Sequence, residues 1–172
     1  MTDDRAILHT LWAKEAIRDL VLRYCRAIDR KDYNALAALY HADATDDHGA
    51  MFNGAASEFI AWLPSMLETM VATVHSVTNH LIEVNGDSAV GEVYCLAYHR
   101  YQGEAGMEEL LIGGRYLDRY ECRRGQWRFS HRKIVADWNE LRPSTTDFSA
   151  PMFAGAAVGG DRENDPSAAW FA

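Results

Sequence analysis

Two residues of this chain, Asp29 and His75, have the types and the positions that acid–base chemistry requires. Asp29 lies in the segment AIDRKDY, where an amphipathic helix pattern ends, so its carboxylate leaves the helix near the edge of the buried stripe. His75 opens the strand-like segment TVHSVTNHL, on a face that it shares with Val77, Asn79 and Leu81. If the two side chains meet, Asp29 accepts a hydrogen bond from one ring nitrogen while the other nitrogen takes a proton from a substrate.

The same two residues also have ordinary structural explanations. A histidine on an apolar strand face is more often a hydrogen-bonded core residue, and an aspartate after a helix is more often a cap or a surface group. Paired titratable groups are only statistical signs of a functional site. Residue types alone therefore leave a catalytic pair and two structural residues as alternatives.

The first part of the chain predicts three helices. Residues 6–28 carry apolar side chains at intervals of three and four, which is the pattern of a helix that buries one face. Residues 33–40 predict a short second helix. Residues 57–70 predict a third, with Ser57 as its N-cap and a bend at Pro64.

The segment HADATDDHG, between the second and third helices, is polar and predicts a loop that leads to a short strand at residues 50–52. It contains imidazole and carboxylate groups that could bind a divalent ion. Their spacing matches no recognised ligand motif, so a solvated loop is the favoured interpretation and no metal is expected. The candidate ligands are His41, Asp43, Asp46, Asp47 and His48.

After Met70, apolar residues recur at every second position instead of at intervals of three and four. VHSVTNHLIEV and SAVGEVYCLAYHRY flank an Asn-Gly turn and predict a long hairpin. MEELLIGGRYLDRYECR and WRFSHRKIVADW flank the turn RGQ and add two more long antiparallel strands. Helices followed by strands predict an α+β domain, in which N-terminal helices pack on a strongly curved, mainly antiparallel sheet with a pocket between them.

The predicted domain spans residues 1–142, and residues 143–172 form a C-terminal arm. The arm is rich in small residues but carries Phe148, Phe153, Trp170 and Phe171. Aromatic residues in such a segment indicate packing, either on the pocket mouth or on a neighbouring subunit, and the sequence does not choose between them. A partly disordered terminus is the other interpretation.

Composition excludes several classes of partner. The 172 residues suit one domain, and a net charge of −8 argues against binding to a nucleic acid backbone. The three cysteines are an odd number inside regular elements, which favours free thiols in a reducing cytoplasm. The N-terminus lacks a signal-peptide pattern and no apolar run is long enough to span a membrane.

Three segments in a fixed order resemble the SnoaL-like branch of the nuclear transport factor 2-like superfamily. They are YCRAIDRKD, TVHSVTN and LLIGGRYLDRYECRRGQWRFSHR. The branch includes scytalone dehydratase, hexachlorocyclohexane dehydrochlorinase and bile acid 7α-dehydratase, and the similarity covers residues 6–138. The resemblance implies a cone-shaped α+β barrel.

The resemblance also implies roles for particular residues. Asp29 and His75 match the catalytic aspartate–histidine dyad of the family, and Arg132 in SHRK matches an arginine of the same pocket. Tyr24 matches a tyrosine that the bile acid dehydratase uses. His99 falls near the second histidine of scytalone dehydratase.

The alternation of the strands predicts which side chains form the pocket wall. The face of the second long strand that points into the cone is small and apolar at its centre, and the opposing faces of the last two strands complete the wall. The predicted wall residues are Val93, Cys95, Ala97, His99, Ile112, Gly114, Tyr116 and Ile134.

The implied function is a cofactor-independent lyase of the dehydratase or dehydrohalogenase type, acting on a mostly apolar ring compound. His75 removes a proton, Asp29 stabilises the imidazolium, and Tyr24 or Arg132 meets the developing anion or departing oxygen. The alternatives are a carbon–carbon lyase that releases formaldehyde from an aromatic diol, a ketosteroid-isomerase-like isomerase and a polyketide cyclase. A non-catalytic binding module or a small dioxygenase-type subunit is a further alternative.

The family resemblance implies a homo-oligomer, either a trimer or a dimer.

Overall fold

The computed structural model describes residues 4–170, which form helices followed by strands, as predicted. The helices are α1 (Asp4–Asp29), α2 (Tyr33–Ala37) and α3 (Ala56–Leu67). The strands are β1 (Tyr40–Asp47), β2 (Asn53–Ala55), β3 (Met70–Asn85), β4 (Ser88–Gly103), β5 (Gly106–Arg123) and β6 (Gln126–Pro143). Three short 3-10 turns follow in the arm, at Pro151–Phe153, Arg162–Asn164 and Ala168–Trp170.

The six strands form one sheet in the order β2-β1-β6-β5-β4-β3. Every neighbouring pair is antiparallel except β1 and β6, which are parallel. The sheet has two free edges, so the predicted barrel is an open cone. Helix α1 packs across this sheet, against β3 and β6. The predicted α+β class is confirmed.

The core lies between the apolar stripe of α1 and the inner face of the sheet. Ile17 and Val21 of α1 are fully buried, and so are Phe59 of α3 and Phe129 of β6. Burial of a large apolar side chain contributes about 1.5–3 kcal/mol to the stability of a fold. Burial of these side chains therefore supplies much of the free energy that holds the helices on the sheet. The cysteines Cys25, Cys95 and Cys122 are free.

The segment HADATDDHG was wrongly predicted as a loop, because most of it is strand β1. Ala44 and Asp46 point inward and are buried, while Asp43 and Thr45 are exposed. An aspartate is an unusual inward residue, since burial of a carboxylate costs free energy unless hydrogen bonds offset it. The hydroxyl of Tyr40 donates such a bond to Asp46 Oδ2 over 2.6 Å.

Three smaller predictions were also wrong at element boundaries. The second helix ends at Ala37 instead of residue 40, and the short strand is Asn53–Ala55 instead of residues 50–52. The N-cap of α3 is Ala55, which makes no side-chain capping bond, so Ser57 is not the cap. The helix continues through Pro64 to Leu67.

The arm packs against the turn that follows α1. The backbone N–H of Arg162 donates to the carbonyl of Arg30 over 2.7 Å. The Arg30 guanidinium lies 3.0 Å from the buried carboxylate of Asp165, and Lys31 Nζ lies 2.9 Å from Asp161. The arm therefore fastens the turn that comes directly after Asp29.

The aromatic side chains of the arm gain little burial from this packing. Phe148, Phe153 and Trp170 remain exposed, and Phe171 lies outside the described residues. Phe148 and Phe153 contact each other edge to face, with 5.5 Å between ring centroids. Packing of these rings on a neighbouring subunit stays a prediction.

The start of the arm is held by Glu109 of β5, which is 4% exposed. Its carboxylate accepts hydrogen bonds from Ser144 Oγ (2.7 Å), Thr146 Oγ1 (2.8 Å) and Arg142 Nε (3.1 Å). These bonds, that of Ser144 first, lower the pKa of Glu109 from 4.5 to about 2.

Replacement of Glu109 by glutamine is expected to lower the free energy of unfolding at pH 7. A depressed folded-state pKa contributes stability above the unfolded-state pKa, and that stability is lost as the pH falls through the folded-state value. The difference between wild type and Glu109→Gln should therefore shrink between pH 4.5 and about 2 and vanish below. Urea unfolding at several pH values measures it, with the exposed Glu104→Gln as control; a difference that does not change with pH contradicts the prediction.

Candidate active site

Asp29 and His75 meet at the junction of α1 and β3. His75 Nδ1 lies 2.7 Å from Asp29 Oδ1, and the backbone N–H of His75 donates to Asp29 Oδ2 over 2.9 Å. Each side chain is 10% exposed. Because an ionised carboxylate only accepts hydrogen bonds, Nδ1 carries the ring proton of a neutral His75. Nε2 therefore keeps its lone pair and is the nitrogen that can accept a proton.

The chain brings these residues together through a tight turn after α1. Helix α1 ends at Asp29, and Lys31 adopts a left-handed backbone conformation with φ 53°. The buried Lys31 Nζ then donates to the carbonyl of Met70, the first residue of β3, over 3.0 Å. The turn is thus bonded to the strand that carries His75, and this fixes the distance between the two elements.

A cavity of about 300 Å³ lies beside His75, between α3 and the inner face of the sheet. Its wall is largely apolar, and this volume is at the small end of the range for ligand pockets. The residues from α3 are Phe59, Trp62, Leu63, Met66 and Leu67. Such a cavity suits a small ring compound.

All of the predicted wall residues except Val93 line this cavity, namely Cys95, Ala97, His99, Ile112, Gly114, Tyr116 and Ile134. Val93 is on the predicted face, but it is fully buried in the core and does not reach the cavity. Its cross-strand neighbours His80 and Tyr116 lie beside it on the sheet, and its side chain is enclosed in the hydrophobic core. Its placement in the pocket wall is therefore corrected.

Tyr24, which lies near the C-terminal end of α1, also lines the cavity. It is 2% exposed, and burial raises the pKa of its hydroxyl well above the usual range. The phenol therefore stays protonated at neutral pH. It can donate a hydrogen bond to an oxygen of a bound molecule.

Arg132 lies behind the cavity wall rather than in it. Its guanidinium is fully buried and donates to both carboxylate oxygens of Asp118, over 2.8 and 2.7 Å. It lies 4.0 Å from the ring centroids of Tyr24 and Tyr116 and 4.3 Å from that of Phe129. The expected cost of an uncompensated buried arginine is thus offset by Asp118, and the contact of Arg132 with the cavity passes through aromatic rings.

His99 stands next to the pair. Its Nδ1 lies 3.0 Å from Thr73 Oγ1, and its ring centroid is 5.4 Å from that of His75. Burial first, and then the neighbouring His75, lowers the pKa of His99 to about 4. His99 is therefore neutral at physiological pH, and it offers hydrogen bonds rather than charge.

Sequence reasoning missed the α3 wall and His48. The apolar stripe of α3 was recognised, but a stripe does not show whether it faces a core or a cavity. His48, which lines the cavity, was assigned to a solvated loop. Its ring stacks on Phe59 with 4.4 Å between centroids, and its Nδ1 lies 3.1 Å from Asp46 Oδ1. No signal in the local sequence distinguishes it.

The other polar residues of β1 are engaged in protein contacts. His41 Nε2 is hydrogen-bonded to the carbonyl of Glu121 over 2.9 Å, and Asp43 pairs with Arg123. Asp47 pairs with Lys133. Within residues 4–170, no three His, Cys, Asp or Glu side chains are grouped so as to hold a metal ion. None of the helices in that range is long and apolar enough to cross a membrane.

Residues 9–133 match the model of the SnoaL-like domain family. An uncharacterized protein of Mycobacterium tuberculosis H37Rv is 26% identical over 118 residues, which are 67% of this chain and 80% of that protein. A counterpart in Mycobacterium bovis has the same values.

Solved structures share the fold. The hexachlorocyclohexane dehydrochlorinase type 3 of Novosphingobium barchaimii has a TM-score of 0.73 at 22% identity, over 84% of this chain and 99% of that chain. A structure from Novosphingobium aromaticivorans, provisionally named a scytalone dehydratase, has a TM-score of 0.69 at 23% identity, over 80% and 97%. Because the family model spans more than half of the sequence, the chain belongs to the SnoaL-like domain family.

Proposed function

We propose that this protein is a cofactor-independent lyase that removes a proton and a leaving group from a mostly apolar ring compound. The observation that carries the proposal is the Asp29–His75 pair beside an apolar cavity of about 300 Å³. A hydrogen-bonded imidazole with a free Nε2 has the geometry of a general base. An apolar wall with few polar groups is typical of a small-molecule site.

In this proposal His75 Nε2 takes a proton from a carbon next to a carbonyl or a leaving group. Asp29 stabilises the imidazolium that forms, and the hydroxyl of Tyr24 donates to the developing oxyanion. General base catalysis contributes about 10²- to 10⁴-fold, and one oxyanion donor about 10²- to 10³-fold. Together they suit a substrate whose proton is already moderately acidic.

The names of two proteins with the same fold support an elimination reaction. One is a dehydrochlorinase, and the other is provisionally named a dehydratase. Release of formaldehyde from an aromatic diol and polyketide cyclisation remain alternatives, because both need a base and a stabilised anion. Double-bond migration of the ketosteroid-isomerase type is also an alternative. In that reaction a carboxylate is the base, whereas here the group at the cavity is His75.

A non-catalytic binding module, or a small dioxygenase-type subunit, is the alternative from another class. Such a protein has no need for an imidazole that is oriented by two hydrogen bonds to one carboxylate. The pair therefore favours an enzyme over a structural subunit.

The experiment is a turnover screen of ring compounds with two kinds of leaving group. 3-Hydroxy-1-tetralone, which yields 1-naphthol on loss of water, tests dehydration by its ultraviolet spectrum. γ-Hexachlorocyclohexane tests dehydrohalogenation by chloride release. We expect turnover of at least one compound that a His75→Gln variant does not support. Stoichiometric binding without turnover across the panel would instead favour the binding module.

Self-association and a cytoplasmic location belong to the same proposal. The outer face of the sheet exposes Leu81, Val90, Tyr94 and Leu96, at 43–66% of their surfaces, and exposed apolar patches commonly mark protein interfaces. A homo-oligomer, dimer or trimer, would cover these side chains. Light scattering of the purified chain measures its mass.

A further inference from the structure

The C-terminal arm contacts the two residues that directly follow Asp29. The backbone N–H of Arg162 donates to the carbonyl of Arg30 over 2.7 Å, and its Nε donates to the carbonyl of Lys31 over 3.1 Å. The carboxylate of Asp161 lies 2.9 Å from Lys31 Nζ. One short piece of the arm therefore covers the turn at the end of α1 through both backbone and side-chain contacts.

The ammonium of Lys31 joins the arm to β3. Its side chain is 5% exposed, and Nζ is paired with Asp161. The same Nζ donates to the carbonyl of Met70, the first residue of β3, over 3.0 Å. A buried ammonium costs free energy unless a carboxylate and hydrogen bonds offset that cost. Asp161 therefore favours the conformation in which Lys31 reaches β3.

Arg162 extends the contact to the end of α3. Its Nη2 donates to Glu68 Oε1 over 3.0 Å, and its guanidinium lies 5.4 Å from the ring centroid of Tyr33 in α2. Glu68 directly follows α3, and the nearby Leu67 and Met70 line the cavity. The arm thus connects the turn after α1 to the segment that borders the cavity.

The position of this turn determines where the carboxylate of Asp29 stands. Asp29 is the last residue of α1, and His75 follows Met70 by little more than one turn's length of chain on β3. The two bonds between Asp29 and His75, 2.7 and 2.9 Å long, therefore depend on how closely the turn is held to that strand. A misplacement of about 1 Å in an active site can lower a rate about 10²-fold.

We propose that the C-terminal arm is a positioning element of the active site, which holds Lys31 on β3 and thereby keeps Asp29 against His75. Its consequence for catalysis rests on the proposed lyase function. Asp161 and Arg162 do not line the cavity, so they act through the pair and not on a bound molecule. The arm lies beyond the residues that match the family model.

The first readout is the ring of His75, which needs no substrate. In wild type the neutral ring should carry its proton on Nδ1, and ¹⁵N spectra distinguish this tautomer from the one protonated on Nε2. Asp161→Asn removes the charge beside Lys31 at a position that is 46% exposed, and Lys31→Met removes the ammonium itself. In both variants we expect the Nε2–H tautomer to appear and the Nδ1 proton to exchange faster with water. Glu163→Gln, at an exposed position of the same arm, should match wild type.

The second readout is turnover of 3-hydroxy-1-tetralone under conditions in which circular dichroism shows every variant to be folded. We expect kcat to fall about 10- to 10²-fold in Asp161→Asn and Lys31→Met, with little change in KM, because neither residue lines the cavity. The Glu163→Gln control should keep the wild-type kcat.

The two readouts separate this inference from the proposed function. An unchanged His75 signal in both variants, with or without a loss of stability, would make the arm structural at most and overturn the inference. A changed signal with an unchanged kcat would overturn it as well. If even wild type does not turn over the compound but the signal changes as expected, the lyase function fails and the positioning of the pair by the arm stands.

Discussion

Replacing Asp29 with asparagine is expected to lower kcat for elimination by about 10²- to 10⁴-fold, with a small change in KM. The carboxylate of Asp29 accepts from both Nδ1 and the backbone N–H of His75, and the charge that favours the imidazolium is lost in the amide. An amide also has one acceptor and one donor end, so it cannot serve both bonds. Single-turnover kinetics on 3-hydroxy-1-tetralone measure the chemical step.

The matched control is Asp32→Asn, three residues further along. Asp32 caps α2 by accepting from the backbone N–H of Ala35 over 2.9 Å, and it does not line the cavity. We expect this control to keep its activity. Because residues that act as one unit are not additive, Asp29→Asn combined with His75→Gln should lose little more than His75→Gln alone. Losses that multiply in the double variant would contradict a coupled pair.

The parts of the site that sequence predicted depend on local periodicity. The three-to-four spacing of α1 placed Asp29 at the end of the buried stripe, and the helix does end there. The alternation of β4 and β5 placed Cys95 and Ile112 on the inner face, and both line the cavity. Local periods determine the face on which a side chain lies, as long as the strand is regular.

Irregularities in the strands explain why the faces of other side chains could not be predicted from the sequence. A bulge between Val77 and His80 in β3 reverses the inner face, so Leu81, expected to share the face of His75, is exposed at 66%. In the hairpin of β5 and β6, the strand pairing next to the turn places Tyr120 opposite Phe129. If that pairing continued without a shift, His131 would lie opposite Asp118. A one-residue bulge after Arg119 puts Arg132 there instead. A slip of one residue moves a side chain to the other face, and the sequence gives no sign of it.

Strand β1 was missed because its burial depends on residues distant in the sequence. Its parallel partner β6 lies more than 80 residues further along the chain. The inward Asp46 is tolerated only with Tyr40 and the charge of Arg132 nearby. The polar composition of this segment therefore predicted a solvated loop, and the burial of Asp46 and the cavity position of His48 could not be recognised from the local sequence.

Replacing Arg132 with methionine is expected to lower the free energy of unfolding by about 3–5 kcal/mol, the usual cost of leaving one member of a buried ion pair without its partner. Asp118, 2% exposed, would keep only the hydrogen bond that Tyr120 donates over 2.7 Å. The rings of Tyr24 and Tyr116 would also lose the cation between them. Urea unfolding measures the loss.

The double variant Arg132→Met with Asp118→Leu decides whether Arg132 acts through the fold or in the chemistry. Apolar replacement of both members of a buried ion pair is often neutral or stabilising, so we expect most of the lost stability to return. Because Arg132 does not line the cavity, activity should return with it, with His75 and Asp29 in place. A double variant that regains stability but stays inactive would show that the guanidinium acts on the reaction, through the phenol of Tyr24 that it touches.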